Sequence, residues 1–235
     1  MHTPRHFRAD LPEREGRLVR ENPFGLVVSA AGAALPGAPV ATHVPMLRRP
    51  GPAGPPADGE PLLGGTVIGH LSRANPQSEA LRTTGFALAV FLGPEGYVSP
   101  TLYDPSKPQA PTWNYAAVHL SGPVRVVDDR DEALAIMRAT IDATETYAGT
   151  GWDPTSSLGY IDKLLAGVTA FEITVDDVRS TFKLSQNKPA ETQRRVHASF
   201  AASRRGRDRE LAALMADVLG LAPADDGVEQ AERSG

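Results

Sequence analysis

The sequence contains no cysteine among its 235 residues. This absence excludes disulfide bonds, thiolate metal sites, iron–sulfur clusters and cysteine nucleophiles. Histidine is then the obvious soft metal ligand that is left. Because the chain needs no oxidising compartment, we expect a cytoplasmic protein.

Long apolar runs and an excess of basic charge are also missing. No stretch approaches the roughly 18 to 20 apolar residues that a membrane-spanning helix needs, and no apolar signal core follows Met1, so we expect a soluble protein with no membrane partner. The chain has 24 Lys and Arg against 28 Asp and Glu, for a net charge of −4. Without a strongly basic block, direct nucleic-acid binding is not expected.

The apolar content of 41% is ordinary for a globular protein, and its pattern predicts many short strands with helices between them. Turn residues separate the runs. The predicted strands are 24–30, 39–45, 65–71, 86–92, 96–99, 113–120, 123–127, 170–175 and 179–184. The predicted helices are 10–21, 75–84, 131–147 and 156–166, with further helix beyond Pro189.

Short strands with inserted helices favour an α+β fold, a β-barrel decorated by helices, over a parallel βαβ sheet. Gly64-Gly65 lacks the third glycine of a dinucleotide-binding loop, so a Rossmann domain is not expected. We expect a cofactor-binding domain at 1–188, a helical extension at 189–222 and a disordered tail at 223–235. The Pro-rich loop at 46–64 is interpreted either as a lid over a site or as a plain linker.

The segment Gly69–Pro76 is the most informative part of the chain, since a histidine ends an apolar strand and a helix start follows. Asn75-Pro76 is typical of a first helical turn, whose free amides attract anions. Arg73 and Asn75 are therefore candidates for binding an anionic group of a cofactor. Asn75 is equally well explained as a helix cap alone.

Six motifs in order resemble the PaiB-like family, whose members are labelled FMN-binding negative transcriptional regulators. They are Asn22-Pro23-Phe24-Gly25, Ala41-Thr42-His43-Val44-Pro45, the segment Gly69–Pro76, Gly93-Pro94 with Tyr97-Val98-Ser99-Pro100, Pro111-Thr112-Trp113-Asn114-Tyr115, and Lys183-Leu184-Ser185-Gln186. The resemblance covers residue 1 to about residue 215. It implies the split β-barrel of flavin reductases and pyridoxamine-phosphate oxidases, usually a homodimer with the cofactor between subunits.

One branch of that family uses heme b instead of FMN. These are the piperazate synthases, which close the N–N bond of L-piperazic acid from N5-hydroxy-L-ornithine with loss of water. The chain is similar to this branch at Ser99-Pro100-Thr101 with Leu102-Tyr103, at Val196–Phe200 and at Gly206–Glu210. The alternatives are an FMN-binding transcriptional regulator and a flavin-dependent reductase.

The resemblance places the heme-binding histidine at His70, and His43 is the alternative iron ligand. His119 is expected at a dimer interface or in the core. Arg48 and Arg49 are candidates for the substrate carboxylate, although a solvated loop explains them too. The remaining cofactor contacts are predicted at Trp113, Asn114, Lys183, Ser185 and Gln186, and the catalytic, substrate-facing residues at Tyr97, Ser99 and Thr101. No residue stands out as a general base.

Overall fold

The computed structural model describes residues 1–9, 11–32 and 37–221. The strands of this part are β1 Phe24–Ser29, β2 Val40–Arg48, β3 Thr66–Ser72, β4 Phe86–Val98, β5 Thr112–Val127, β6 Val168–Thr174 and β7 Asp177–Lys183. The α-helices are α1 Pro12–Glu21, α2 Gln77–Thr84, α3 Arg130–Ala148, α4 Leu158–Leu164, α5 Ala190–Ala201 and α6 Gly206–Leu219. Asp10, where the first helix was expected to begin, lies outside the described residues.

The seven strands form one antiparallel sheet in the order β4-β1-β2-β3-β6-β5-β7. An additional pairing between β4 and β5 closes the first six strands of this order into a ring. This topology confirms the predicted α+β fold with a split β-barrel. In the part of the chain that the structure describes, no helix combines the length and apolarity needed to span a membrane.

Two pairs of predicted strands are single long strands. Residues 86–92 and 96–98 both belong to β4, which ends just before Ser99, and residues 113–120 and 123–127 both belong to β5. Each junction contains a Gly-Pro pair, Gly93-Pro94 and Gly122-Pro123, which normally signals a turn. At Gly122 an added Cβ would collide with the Thr174 carbonyl oxygen, so this glycine permits a close approach of two backbones inside the sheet.

Residues divide into two compact units, of which the first contains 1–3, 9–93 and 117–180. Its strands alternate between two faces, since successive side chains of a strand point to opposite sides. One face buries a core of Val27, Val44, Met46, Val67, Leu71, Phe91, Phe171 and Ile173. On the opposite face, Ile68, Val127 and Ala170 pack against Ile136 of α3.

Helix α3 owes its bounds to residues at both ends. The Asp129 carboxylate accepts a hydrogen bond from the Glu132 backbone amide at 2.9 Å, which caps the first turn. Gly149 ends the helix in the left-handed conformation that glycine adopts without steric cost. A second apolar cluster, formed by Met137, Ile161 and Leu165, holds α3 against α4.

The Pro-rich loop begins after Arg48, since β2 extends to that residue, and it is anchored within the first unit. Arg20 of α1 forms an ion pair with Asp58 at 2.9 Å. Gly16 lies directly under the Asp58 backbone, where an added Cβ would clash. Whether the loop acts as a lid stays a prediction.

Of the described residues, the second unit contains 4–8, 94–116 and 181–221. Its described core includes Val196, Phe200, Leu211 and Met215 from α5 and α6. Both helices lie in the segment predicted to be helical at 189–222. The tail predicted at 223–235 lies outside the described residues.

Candidate functional site

His70 lies on the outer face of β3. Its neighbour Gly69 faces the core, where an added Cβ would be 2.8 Å from the Phe171 ring and 3.0 Å from the Met46 side chain. His70 therefore points to the opposite side, the side of Ile68, and pairs with Ala170 of β6. The missing side chain at Gly69 lets Phe171 and Met46 pack directly beneath the strand.

The imidazole of His70 is largely buried and lacks a hydrogen-bond partner. Its Nδ1 atom is buried without a donor or acceptor in reach. Burial also lowers the pKa of His70 below its usual value, because the charged form is penalised in an apolar environment. A neutral imidazole with an unused nitrogen is the form of histidine that binds metals.

His43 lies on the same face of the barrel as His70. Its neighbours Val44 and Met46 are buried, which turns His43, Pro45 and Leu47 of β2 outward, and Leu47 packs against the cluster that contains Ile68. The exposed His43 ring stacks on Phe24 with ring centroids 5.8 Å apart. His43 is thus more open to solvent than His70.

Arg73 and Asn75 follow the strand that carries His70. The Arg73 guanidinium donates to the carbonyl oxygen of Val168 at 2.8 Å, a neutral partner. Its charge also acts on Asp128, which Arg82 already holds. Both ends of the Asn75 amide are used. It accepts a hydrogen bond from the Gln77 backbone amide and donates to the Thr42 hydroxyl, each at 2.9 Å.

Gln77, which was not among the predicted site residues, connects this helix start to the barrel. Its buried amide donates to the carbonyl oxygens of Val27 and Val40, both at 3.1 Å, and its carbonyl accepts from Thr42 at 2.5 Å. A polar residue at the first turn of a helix is an unremarkable sequence signal. Only the fold shows that Gln77 joins α2 to β1 and β2.

The two arginines at the end of β2 have different surroundings. Arg48 donates to the Ala57 carbonyl oxygen at 2.8 Å, and burial lowers its pKa. Arg49 forms ion pairs with Glu132 and Glu172. Arg125 pairs with the same two carboxylates, so the charge of Arg49 is already compensated inside a four-residue network.

A cavity of about 930 Å³ opens between α1, the Pro-rich loop and α3. Arg48 is part of its wall. Its apolar lining comes mainly from Val19, Pro23, Leu47, Pro50, Pro55, Pro56, Leu134, Ala135, Ala139, Ala143 and Tyr147. Its volume lies in the upper part of the range of about 300 to 1,000 Å³ that is typical of small-molecule sites.

Several other predicted residues meet in the second unit. The half-exposed rings of Tyr97 and Trp113 contact edge to face, with centroids 6.0 Å apart. Ser99 and Thr101 share a hydrogen bond of 2.9 Å in the turn that follows β4. The first pair offers aromatic rings and the second offers hydroxyl groups.

Lys183, Ser185 and Gln186 are held by local bonds at the end of β7. The Lys183 ammonium donates to the Thr112 hydroxyl, and its pKa is lowered by burial and by the nearby charge of Lys188. The Gln186 side-chain carbonyl accepts a hydrogen bond from the Leu184 backbone amide at 2.7 Å. Ser185 pairs with the fully buried Asn114.

Residues 1–177 match the model of the family described as "Putative FMN-binding domain". The chain belongs to this family. The PaiB-like resemblance is confirmed by the "Protease synthase and sporulation protein PAI 2" of Bacillus subtilis (strain 168), which is 28% identical over 221 residues and covers 93% of this chain and 98% of that protein. An uncharacterised protein of Emericella nidulans is 28% identical over 200 residues, which cover 72% of this chain and 78% of that protein.

Solved structures similar to this PaiB-like protein show the same fold. A conserved hypothetical protein from Mycobacterium tuberculosis has a TM-score of 0.53 at 11% identity, over 80% of this chain and 94% of that one. The "FAD and Heme binding protein" from Mycobacterium smegmatis has a TM-score of 0.51 at 18% identity, over 79% of this chain and 78% of that one.

The PaiB-like fold thus divides the predicted residues between the two compact units. The first unit carries His43, Arg48, Arg49, His70, Arg73 and Asn75, and the second unit carries Tyr97, Ser99, Thr101, Trp113, Asn114, Lys183, Ser185 and Gln186. Within the first group, the three arginines and Asn75 bond to protein partners, and the exposed His43 ring stacks on Phe24. His70 differs because its buried Nδ1 atom has no hydrogen-bond partner.

Proposed function

We propose that this PaiB-like protein binds heme b through His70 and acts as a piperazate synthase. The reaction would form the N–N bond of L-piperazic acid from N5-hydroxy-L-ornithine with loss of water. The observation that carries the proposal is the buried Nδ1 atom of His70 without a hydrogen-bond partner. Buried polar atoms are normally satisfied, and an unsatisfied one therefore calls for an explanation such as a ligand.

The surroundings of His70 fit a porphyrin. The outer face beside it carries Phe24 and Pro45, which offer apolar contact to a macrocycle, and Arg73 offers a positive charge for a propionate. Burial keeps the imidazole neutral, so its nitrogen lone pair is available to iron. His43 remains the alternative ligand on this face.

The chemistry requires an electrophilic nitrogen. When bound, ferric heme supplies a Lewis acid that polarises the N–O bond of the substrate. The α-nitrogen donates its electron pair to N5 while the N–O electron pair leaves with oxygen. That oxygen gains a proton, the α-nitrogen loses one, and water departs. The chain's own contribution is to hold the substrate folded, so that the two nitrogens meet.

For the second group we propose roles as predicted from the sequence. Tyr97, Ser99 and Thr101 would contact the substrate, and Trp113 and Lys183 would contact the cofactor. The half-exposed rings of Tyr97 and Trp113 support this proposal, since exposed aromatic pairs suit planar ligands. Asn114, Ser185 and Gln186 are proposed as further cofactor contacts, held in place by the bonds described above.

Binding of FMN, in a transcriptional regulator or a flavin-dependent reductase, is the second candidate. The description of the family favours it directly. Arg73, near the start of α2, would then bind the FMN phosphate. In this case His70 would face the flavin without binding a metal.

We also propose a homodimer. Phe24, Phe86 and Leu92 are 68%, 52% and 48% exposed on strands β1 and β4 of the first unit. Exposed apolar side chains on the outer sheet face mark an interaction surface. A second copy of the chain would cover them.

The test begins with the absorption spectrum of protein expressed with added heme precursor. A Soret band that is lost in His70→Ala and kept in His43→Ala would support the ligand assignment. The protein is then incubated with N5-hydroxy-L-ornithine, and mass analysis should find a product lighter by one water. Flavin absorption bands without turnover would instead support the FMN-binding candidate, and full heme occupancy in His70→Ala would overturn the ligand assignment.

A further inference from the structure

The cavity between α1, the Pro-rich loop and α3 adjoins the position of His70. Leu47, in the cavity wall, pairs with Ile68, which is two residues before His70 on the same face of β3. Two residues of a strand span roughly 7 Å. His70 itself is not part of the wall, so the cavity lies beside the proposed cofactor position and is distinct from it.

Three of the six charged residues in the wall are committed to protein partners. Arg20 and Asp58 form a bidentate pair, with distances of 3.0 and 2.9 Å. Arg48 donates to the carbonyl oxygens of Ala57 and Pro61. These bonds hold the Pro-rich loop in place and leave little of Arg48 for a ligand.

The other three charged residues lie on α3. They are Asp131, Arg138 and Asp142. Among the described residues, neither the Arg138 nor the Asp142 side chain forms a hydrogen bond or ion pair. The charge of Arg138 acts on Asp162, but that carboxylate is already held by Arg130 at 2.7 Å.

The order of these charges along the helix indicates a dipolar ligand. Arg138 and Asp142 are separated by one helical turn, about 6 Å along the axis, so they point to the same side. A ligand with only negative charge would be repelled by the two aspartates. A ligand with only positive charge would be repelled by Arg138.

We propose that this cavity binds the α-amino-acid substrate, with Arg138 taking the α-carboxylate and Asp142 taking an ammonium group. The apolar wall, including Leu47 and Leu134, would contact the aliphatic chain. Both side chains are exposed, so these charged hydrogen bonds would form at the open side of the cavity, where they stay accessible to solvent. This inference rests on the proposed function and gives it a substrate site in the first unit, as an alternative to the substrate contacts proposed at Tyr97, Ser99 and Thr101.

L-Ornithine is the probe, since it lacks the N–O bond and is not turned over. Its binding to the full chain is measured by titration calorimetry. We expect Arg138→Gln and Asp142→Asn each to weaken binding at least tenfold. Arg130→Gln is the matched control on the same helix, outside the cavity wall, and should change the affinity by less than twofold.

Truncated ligands assign each contact. 1,4-Diaminobutane has no carboxylate, so its binding should not depend on Arg138. 5-Aminopentanoate has no α-ammonium, and the loss in Asp142→Asn should be smaller for it than for ornithine if Asp142 holds that group. No binding of L-ornithine to the wild type, or equal losses in Arg138→Gln and Arg130→Gln, would overturn the inference.

The inference and the proposed function fail separately. Ornithine binding that depends on Arg138, without formation of piperazate, would retain the amino-acid site and reject the synthase. Formation of piperazate with ornithine binding that ignores Arg138 would retain the synthase and reject this site. The heme spectrum of Arg138→Gln, which should equal that of the wild type, shows that the variant is folded and loaded.

Discussion

Asn114 and Ser185 exchange hydrogen bonds of 3.0 and 3.2 Å although 71 residues separate them in the chain. Both are buried. Ser185 also has a φ of +69°, alone among the non-glycine residues that the structure describes. The bond to Asn114 therefore holds a backbone conformation that serine rarely adopts.

This relationship predicts different effects for two substitutions of Ser185. Ser185→Ala should lower the free energy of unfolding by about 2 kcal/mol, because the buried Asn114 amide keeps only its weak bond to the Met215 sulfur at 3.6 Å. Ser185→Gly loses the same bond but adopts a positive φ freely, so it should be about 1 kcal/mol more stable than Ser185→Ala. Denaturant unfolding measures both, and equal stabilities would contradict the role of the backbone conformation.

Tyr103 provides a prediction of opposite sign. Its hydroxyl is buried without a hydrogen-bond partner, while its ring contacts the Lys188 ammonium, which lies 4.3 Å from the centroid. Tyr103→Phe keeps the ring and removes the unsatisfied group, so stability should rise by about 1 kcal/mol. The exposed Tyr160 is the control, since Tyr160→Phe should leave the unfolding midpoint unchanged. A destabilised Tyr103→Phe protein would show that the hydroxyl has a partner in solution.

Gly69→Ala tests how the packing beneath β3 positions His70. The new methyl group meets Phe171 and Met46, so overpacking should cost about 1 to 3 kcal/mol and displace the strand. Heme occupancy, read from the Soret band, should fall with it. Gly59, whose added Cβ would meet open space, is the control position. Full occupancy in Gly69→Ala would mean that the strand adjusts without moving His70.

His119 makes stability depend on pH. Burial lowers its pKa, and the positive charges of the Met1 amino group and of Arg179 lower it further. At His119 the unfolded chain therefore binds a proton more readily than the folded chain does. The stability that the neutral His119 contributes is full above the unfolded pKa, about 6.5, and is lost as the pH falls through that value. Stability measured between pH 7.5 and 5 should therefore decline less steeply in His119→Gln than in the wild type. If stability fell equally with pH in the wild type and in His119→Gln, His119 would not contribute to the pH dependence of stability.

Phe24 tests the proposed dimer. Phe24→Glu places a charge on the exposed apolar face of β1, which should convert the dimer to a monomer in light scattering coupled to size exclusion. Tyr160→Glu, at a similarly exposed aromatic position on α4, should leave the mass unchanged. A dimer that persists in Phe24→Glu would place the interface elsewhere.

The sequence predicted the fold because alternating apolar residues and turn signals are local properties. The sequence pattern predicted breaks in β4 and β5 at Gly93-Pro94 and Gly122-Pro123. At Gly122 the strand continues because its backbone packs closely against β6, about fifty residues away in the chain. His70 was found because a histidine at the end of an apolar run is unusual. Its missing hydrogen-bond partner was visible only after folding.

Other residues of the candidate site carried no local signal. Arg138 and Asp142 look like the solvated face of an amphipathic helix, and only the fold places the Pro-rich loop opposite them. Arg49 looked as available as Arg48, but Glu132 and Glu172 come to it from α3 and β6. Charge compensation of this kind depends on tertiary contacts, which no short window of sequence contains.

The amide of Gln77 has a consequence for how the molecule opens. The Gln77 amide binds carbonyl oxygens of β1 and β2 at once. If α2 detached from the two intact strands, these buried polar groups would lose their hydrogen bonds, which is costly. The helix and both strands should therefore exchange their amide hydrogens as one cooperative unit. The turn that links His70 to α2 would then share the slow exchange of the barrel, unlike an ordinary surface loop.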